Sequence, residues 1–290
     1  MAKKIGVILN MSARTASKLD SNEVQKTIKR QLPKAKLYII KSSFTSAVNR
    51  AVRDGCTVLC AGGGDGTVSG VATACVKHNL VLGVIPLGTM NNFSKDLGIP
   101  QDLAEACKIV KQNKVKKVDY ATVNNDLFIN NSSLGVYTKY VRQRESHQKV
   151  LGKIPAYLTS LISTIANFSI LDVTLKYDGK AHSFKTPMIF VSNNDYGIDQ
   201  KLTVRRKTLN SGKLAVNILI HGGLRGIIDS IKGLFKPKKF ATRYKSFHTE
   251  ELTINATNTK IAVAKDGEII TTKLPLVYKI HKNRLSVIVP

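Results

Sequence analysis

Acidic residues, cysteine and tryptophan are scarce in this sequence. Its 290 residues include 19 Asp and Glu, four Cys and no Trp. The cysteines show no Cys-x-x-Cys spacing and no pairing with histidine, which argues against a zinc site or a disulfide scaffold and indicates the reduced thiols of a cytoplasmic protein. The first apolar run, residues 5–9, is too short for a signal peptide. Because 43% of the residues are apolar, the chain has enough material for an ordinary core in one or two domains.

The shortage of acidic residues leaves a strongly basic chain. With 45 Lys and Arg, the net charge is +26. A surface of this sign favours polyanions, such as an anionic bilayer, nucleic acid or phosphorylated small molecules. The sequence has no RNA-binding aromatic signature, zinc finger or helix-turn-helix pattern, so we expect no nucleic-acid partner. A generally basic proteome is the alternative explanation of the charge.

The hydrophobic pattern changes near residue 120. Before this point, strands alternate with helical runs, which predicts parallel βαβ units; the strands are 5–9, 36–40, 57–61 and 81–85, and the helices are 21–31, 43–54, 68–78 and 103–112. After it, alternating runs predict an antiparallel sheet, with strands at 121–123, 127–131, 171–176, 188–192, 213–220, 251–255, 261–264, 276–280 and 285–289. We therefore expect an α/β domain over residues 1–120 and a β-rich domain over 121–290. An exposed edge strand would allow a homodimer.

Two helical segments interrupt the β-rich half. Residues 139–153 are basic and lead into the uncharged run 154–171, in which Pro155 and several Ser and Thr make a poor transmembrane helix. One apolar face favours a core helix there over a lipid contact. Residues 222–244 combine apolar residues with a Lys cluster at 236, 238 and 239. This is the pattern of an interfacial helix on an anionic membrane, and a solvated helix is the alternative.

The first candidate site is the glycine-rich stretch Ala61-Gly-Gly-Gly-Asp-Gly-Thr67, which follows an apolar strand and opens a helical run. Glycine allows backbone N–H groups to approach phosphate oxygens closely, and a helix N-terminus adds its dipole. Asp65 would hold Mg²⁺ or take a proton, and Thr67 would donate a hydrogen bond. The alternative is a strand-to-helix turn in which Asp65 is the N-cap.

A second strand-to-loop motif, Pro86-Leu-Gly-Thr-Met-Asn-Asn-Phe93, follows the next strand. Ligands of open α/β sheets bind at the carboxyl ends of strands, so we expect the two loops to line one crevice. Together the motifs resemble the catalytic domain of diacylglycerol kinases, and most closely the soluble bacterial lipid kinases related to sphingosine kinases. Gly63-Gly-Asp-Gly-Thr67 alone is shared with NAD kinases. The second motif, at this distance from the first, is far more specific.

The resemblance runs over essentially the whole chain and is strongest from Val58 to Pro100. It implies a Rossmann-like α/β nucleotide-binding domain over residues 1–120 and an antiparallel β-sandwich lipid-substrate domain with inserted helices over 121–290, with nucleotide and lipid meeting in the cleft between them. ATP and Mg²⁺ are the implied cofactors, and Asp65 is the implied metal ligand. The implied nucleotide-binding residues are Asn10, Ser12, Ser42, Gly63, Gly64, Asp65, Gly66, Thr67, Val68, Ser69, Gly88, Thr89 and Asn91.

A third motif, Asp266-Gly-Glu268, lies between two predicted strands. From the residues alone, a hairpin turn without a catalytic role is the alternative interpretation. The resemblance makes Glu268 the general base that takes the proton of the lipid hydroxyl, with Asp266 beside it. Asp65 is the rival base.

Several positions depart from the family pattern. Met11 and Ala13 replace the Pro and Gly of the first loop, and Gly70 stands where Glu is usual. Ser211 replaces an Asp that helps to hold a structural Mg²⁺ in some members, so we predict no metal site there. The loss of Glu at position 70 would shift substrate choice or reduce activity.

The sequence thus predicts an ATP-dependent lipid kinase that acts on diacylglycerol or a similar membrane lipid. We expect it to be cytoplasmic and peripherally bound to an anionic membrane surface. The alternatives are a catalytically impaired lipid- or nucleotide-binding homologue, an NAD kinase, and a nucleic-acid binder driven by charge alone.

Overall fold

The computed structural model describes residues 4–11, 20–40, 43–135, 170–198, 204–220, 244–257 and 259–290. The chain divides into two units. Unit 1 comprises Met1–Tyr120, Tyr196–Gly212 and His281–Pro290, and unit 2 comprises Ala121–Asp195 and Lys213–Ile280. The segments 196–212 and 281–290, which the hydrophobic pattern places in the C-terminal domain, therefore belong to unit 1.

Unit 1 alternates strands and helices along the chain. Its elements are β1 (Ile5–Leu9), α1 (Ser21–Gln31), β2 (Lys36–Ile39), α2 (Phe44–Arg53), β3 (Val58–Gly63), α3 (Asp65–His78), β4 (Val81–Pro86), α4 (Asn92–Asp96), α5 (Leu103–Gln112) and the start of β5 (Lys114–Val123). The strand order is β2-β1-β3-β4, and all of these neighbours are parallel. The end of the last strand, β18 (Leu276–Val289), adds to β4 in parallel through Val287 and Leu82. The predicted mixed α/β fold is confirmed.

Three helices of unit 1, α1, α2 and α5, begin at a residue whose side chain caps them. Asp20 caps α1 by accepting a hydrogen bond from the backbone N–H of Asn22, and Asp102 caps α5 in the same way. The buried residues of these two helices pack against alternate residues of the parallel strands, such as Val7 and Leu9 of β1. Because alternate strand residues point to opposite faces, α1 and α5 cover one face of the sheet.

Two buried ionic groups hold the later segments in unit 1. The carboxylate of Asp119 accepts hydrogen bonds from the backbone N–H of Gly212 at 2.7 Å and of Asn283 at 2.8 Å. Arg206 pairs its Nε with Asp96 Oδ2 at 2.7 Å, and both side chains are almost fully buried. Removing one member of a buried ion pair leaves the other charge buried without a partner, which costs free energy. These contacts therefore fix the positions of the segments 196–212 and 281–290. Arg206 belongs to a short antiparallel ribbon of β11 (Tyr196–Ile198) and β12 (Val204–Arg206).

Unit 2 is built from antiparallel strands in two sheets. The elements are β6 (Asp126–Phe128), β7 (Asn131–Gly135), β8 (Leu171–Tyr177), β9 (Lys180–Thr186), β10 (Met188–Asn193), β13 (Leu214–Leu219), β14 (Tyr244–Thr249), β15 (Glu251–Ala256), β16 (Lys260–Lys265) and β17 (Glu268–Lys273), with the end of β5 and the start of β18. One sheet has the order β14-β13-β10-β7-β16-β17, and the other contains β18-β15-β8-β9. Apolar side chains from both sheets share one core, which includes Leu134, Val173 and Tyr278.

Most predicted elements are present with small changes at their ends. The structure has the helices 21–31 and 103–112 as predicted, whereas α3 begins three residues earlier than predicted and two predicted strands near the C-terminus are one long strand, β18. Residues 139–153, and nearly all of 154–171 and 222–244, lie outside the described residues. Among the helices of the described ranges, none is long and apolar enough to cross a bilayer.

Candidate active site

The carboxyl ends of β1, β3 and β4 bring three predicted loops together. Asn10, which follows β1, donates a hydrogen bond from its side-chain Nδ2 to Thr67 Oγ1 at 3.0 Å and from its backbone N–H to the carbonyl of Gly62 at 2.8 Å. The backbone N–H of Leu87, after β4, donates to the carbonyl of Gly63 at 2.9 Å. The first loop is therefore held from both sides.

Two glycines allow the first and second loops to touch through their backbones. A Cβ atom on Gly88 would lie 2.4 Å from Gly64 Cα and 2.6 Å from Asn91 Oδ1. A Cβ on Gly63 would lie 2.5 Å from Thr67 Oγ1. Glycine at these two positions therefore allows a close approach that a side chain would prevent, and close approach of the backbone is a feature of phosphate-binding loops.

Helix α3 starts directly from the glycine-rich loop. Gly64 is the N-cap and has extended backbone angles without a side-chain cap, and Asp65 is the first helical residue. The hypothesis that Asp65 is the N-cap is therefore wrong. Its Oδ1 instead accepts a hydrogen bond from the backbone N–H of Phe93 at 3.4 Å, which joins the first motif to the second. The half-buried Asp65 carboxylate also complements the positive end of the helix dipole.

Thr67, Val68 and Ser69 are buried in the first turns of α3, with Thr67 only 7% exposed. The Thr67 hydroxyl contacts Asn10. Both residues thus shape the loop from within, and a phosphate would meet the backbone N–H groups at the helix start. Ser12 and Ser42 lie outside the described residues, so their predicted nucleotide contacts stay predictions.

The second loop is closed by Asn91, which adopts a left-handed conformation with φ of 51°. Its Oδ1 accepts from the Gly88 N–H at 3.0 Å, and its Nδ2 donates to the Gly88 carbonyl at 3.0 Å and to Gln101 Oε1 at 3.1 Å. Gln101 also donates to Ser94 Oγ at 3.1 Å. Thr89, at the tip of this loop, is exposed. Sequence reasoning missed Gln101, because a single Gln after Pro100 carries no motif.

A cavity of about 610 Å³ lies beside the second loop. Its lining includes Thr89, Asn91 and Lys95 together with the helix-capping residues Asp20 and Asp102. The predicted site residues Thr89 and Asn91 therefore face open space large enough for a small molecule.

Gly70, which departs from the family pattern, packs against a ring. A Cβ at this position would lie 2.7 Å from Phe44 Cζ in helix α2. The usual Glu would not fit unless Phe44 moved. Glycine at position 70 thus allows α3 to pack closely against Phe44 of α2.

The Asp266-Gly-Glu268 motif forms the turn between β16 and β17 in unit 2. Asp266 and Gly267 have φ of 47° and 87°, the signature of a tight two-residue hairpin turn. The Asp266 carboxylate accepts hydrogen bonds from the backbone N–H groups of residues 129, 130 and 131 at 2.9, 2.8 and 3.2 Å. Asp266 therefore anchors the loop before β7, which is a structural role. Glu268 is exposed beside it.

No group of three or more His, Cys, Asp or Glu side chains is arranged to hold a metal ion within the described parts of the chain. Mg²⁺ in nucleotide sites is commonly held by one or two carboxylates together with substrate phosphates. Asp65, half-buried in the glycine-rich loop at the start of α3, fits that manner of binding.

Comparison with known proteins agrees with the motifs. Residues 4–123 match the family model described as the diacylglycerol kinase catalytic domain, which confirms the resemblance seen in the sequence. A Staphylococcus carnosus (strain TM300) protein, provisionally named a lipid kinase, is 26% identical over 232 residues, which are 78% of this chain and 74% of that protein. The diacylglycerol kinase of Staphylococcus aureus (strain JH9) is 30% identical over 178 residues, which span 56% of each protein, just over half of that relative's length.

Solved structures share the fold along the chain. A Bacillus anthracis str. Sterne protein, provisionally named a diacylglycerol kinase, superposes with a TM-score of 0.77 at 22% identity, over 99% of this chain and 95% of that one. A second structure from the same strain, of a diacylglycerol kinase, gives a TM-score of 0.70 at 18% identity, over 99% and 97% of the two chains.

Proposed function

Because residues 4–123 of this chain belong to the diacylglycerol kinase catalytic domain family, we propose that the protein is an ATP-dependent lipid kinase. It would transfer the γ-phosphoryl group to a hydroxyl of diacylglycerol or a similar membrane lipid. The observation that carries the proposal is the contact between Gly64 and Gly88 at the carboxyl ends of β3 and β4. The two loops meet at the start of α3, whose backbone N–H groups and dipole suit nucleotide phosphates.

Each residue has a role in this proposal that follows from its contacts. Asn10 and Asn91 hold the two loops in shape, and the first N–H groups of α3 bind phosphate oxygens. Asp65 orients the phosphates and takes part in holding Mg²⁺. Mg²⁺ bound with the nucleotide would offset the negative charge that phosphoryl transfer concentrates on the phosphate oxygens.

The proton of the acceptor hydroxyl needs a general base, and we assign this role to Glu268. Both oxygens of Asp266 already accept backbone N–H groups, which leaves Glu268 as the carboxylate of the motif with an exposed side chain. A carboxylate within hydrogen-bond reach of the hydroxyl contributes about 10²–10⁴-fold to the rate.

A membrane lipid substrate requires the enzyme to work at a bilayer surface. The net charge of +26 supports binding to anionic lipid, and the basic residues of 222–244 are proposed to contribute. Alanine at Lys236, Lys238 and Lys239 is expected to weaken binding to anionic vesicles. Unchanged binding would remove this segment from the proposal.

A catalytically impaired homologue is the second candidate, and the observation that favours it is the Phe44 ring against Gly70, where the family usually carries a carboxylate. The test is transfer of labelled γ-phosphate from ATP to a panel of lipids in anionic vesicles. Label in one lipid supports the kinase and names its substrate. ATP binding without label in any lipid supports the impaired homologue, and label in NAD would indicate an NAD kinase.

A further inference from the structure

Helix α4 (Asn92–Asp96) contains the end of the second motif and has only five residues. A helix of this length is not stable on its own, so tertiary contacts must hold it in place. Two of its residues belong to the candidate site, because the backbone N–H of Phe93 donates to Asp65 Oδ1 and Lys95 lines the cavity beside the second loop. The position of α4 therefore affects both Asp65 and the lining of the cavity.

Arg206 holds Asp96, the last residue of α4, at two points. The Oδ2 atom of Asp96 accepts a hydrogen bond from Arg206 Nε at 2.7 Å, and its Oδ1 atom accepts one from the backbone N–H of Arg206 at 3.4 Å. The side chains of Arg206 and Asp96 are 0% and 4% exposed. A carboxylate at the negative end of a helix dipole is unfavourable, and the Arg206 cation offsets this cost. Because the contact has two points, it restricts the orientation of α4 as well as its distance from Arg206.

The Arg206 guanidinium also lies close to two aromatic rings. Its Cζ atom is 5.3 Å from the centre of the Phe93 ring in α4 and 5.9 Å from the centre of the Tyr196 ring. Both distances are within the range of cation–π contacts, which a planar guanidinium makes more often than an ammonium group does. Tyr196 is the strand partner of Arg206 in the β11–β12 ribbon. One buried cation thus joins the ribbon to both Phe93 and Asp96 of α4.

We propose that Arg206 is a positioning residue of the nucleotide site, which acts through α4 on the hydrogen bond between Phe93 and Asp65. This inference rests on the proposed function, because ATP is the ligand whose site is positioned. A well-packed apolar pair of similar volume is often as stable as a buried ion pair. Such a pair would lack hydrogen bonds of fixed direction. The contribution of Arg206 and Asp96 is therefore the position that they impose on α4 rather than stability.

Three variants separate an effect on position from an effect on stability. Arg206→Met alone is expected to destabilise the protein, because it leaves the Asp96 carboxylate buried without a cation. Arg206→Met with Asp96→Leu removes both charges and is expected to unfold at about the same urea concentration as the parent protein. Val58→Ala is the matched control, because it leaves a cavity in the core of unit 1 at the start of β3, the opposite end of that strand from the glycine-rich loop.

Hydrogen exchange followed by mass spectrometry measures how firmly α4 is held, and it needs no ATP. In the double variant, the backbone amides of residues 87–97 are expected to exchange at least about tenfold faster than in the parent protein, because α4 opens locally. Val58→Ala is expected to leave exchange in this segment unchanged. Exchange at the parent rate in the double variant, or the same acceleration in Val58→Ala, would overturn the positioning role of Arg206.

Calorimetric ATP titration of the same variants connects α4 with the nucleotide. The double variant is expected to bind ATP at least about tenfold more weakly than the parent protein, the effect of losing one hydrogen bond to a charged group. Val58→Ala is expected to bind ATP with the parent affinity. Parent affinity in the double variant, despite faster exchange of residues 87–97, would show that Arg206 holds α4 without positioning the nucleotide and would overturn the inference.

The two proposals fail separately. If the parent protein binds no ATP, the proposed function is removed, and hydrogen exchange still decides whether Arg206 positions α4. If the parent protein binds ATP and the double variant matches it in both measurements, the proposed function stands and the role of Arg206 is removed.

Discussion

Individual glycines, which have no side chain, shape the candidate site. Gly63 allows Thr67, and Gly88 allows the backbone of Gly64, to approach at distances that a Cβ atom would prevent. Gly70 belongs to a different contact, against Phe44 in α2. The same residue type thus allows a close approach of two loops in one place and helix packing in another, and the neighbours of each glycine distinguish the two.

Gly88→Ala is expected to disrupt the candidate site more than Gly64→Ala. The added methyl group would lie 2.4 Å from Gly64 Cα in the first variant but 3.3 Å from Gly88 Cα in the second. Overpacking of this kind costs about 1–3 kcal/mol. Calorimetric ATP titration is expected to show at least about tenfold weaker binding for Gly88→Ala. Equal affinities for the two variants would contradict the assigned contact.

Gly70→Ala is expected to lower the free energy of unfolding by about 1–3 kcal/mol, because its methyl group meets the Phe44 ring. In the background of Phe44→Ala the same substitution is expected to cost much less, since the space is then open. Urea unfolding of the two single variants and the double variant measures this coupling. Strict additivity would show that the ring does not explain Gly70.

At the scale of elements, two neighbouring carboxylates of the β16–β17 hairpin, Asp266 and Glu268, have different roles. Asp266 anchors the backbone of residues 129–131, and Glu268 starts the next strand with an exposed side chain. The sequence motif does not distinguish them, because the partners of Asp266 lie more than 130 residues away.

Asp266→Ala is expected to destabilise unit 2, and Glu268→Gln is expected to leave its stability unchanged. The first variant leaves three backbone N–H groups without their charged acceptor, which costs about 1–3 kcal/mol for each buried group that water does not reach. Chemical denaturation followed by circular dichroism measures the difference. Equal stability of both variants would remove the anchoring role.

Sequence patterns predict some elements well and others poorly, for physical reasons. Strongly periodic helices such as α1 and α5 are predicted to the residue. The strands β9, β14 and β17 are missed because they are rich in Lys, Ser, Thr or His rather than in regularly alternating apolar residues. The beginning of α3 is missed because its first residues are Asp-Gly-Thr, which have low helix propensity.

At the scale of the whole molecule, the assignment of segments to units depends on contacts distant in sequence. Asp119 bonds to backbone groups of Gly212 and Asn283, and Arg206 pairs with Asp96. No local sequence pattern predicts these pairings. A division at residue 120 therefore does not place the segments Tyr196–Gly212 and His281–Pro290 in unit 1, where the structure has them.

The buried thiols predict how stability depends on pH. Burial raises the pKa of Cys75 to about 12 and that of Cys107 to about 12, and it also raises the pKa of Cys60. Unfolded thiols ionise near about pH 8.5. The contribution of these thiols to the free energy of unfolding is therefore fully present below that pH and is lost as the pH rises towards 12. At about pH 10 the loss reaches about 2 kcal/mol per thiol.

Urea unfolding at neutral and alkaline pH checks this expectation. Cys75→Ala is expected to show a shallower loss of stability with pH than the parent protein. Thiol-reactive dye at neutral pH is expected to label all four buried cysteines only as fast as the protein opens. Rapid labelling of the folded protein, or an unchanged pH slope, would contradict the burial.

The measurement that tests the central claim most directly is γ-phosphate transfer to lipid, with ATP affinity measured beside it, for the parent protein, Asp65→Ala and Glu268→Gln. The account predicts label in one lipid for the parent, weakened ATP binding with little transfer for Asp65→Ala, and near-normal ATP binding with transfer reduced about 10²–10⁴-fold for Glu268→Gln. Transfer at the parent rate in both variants would contradict it.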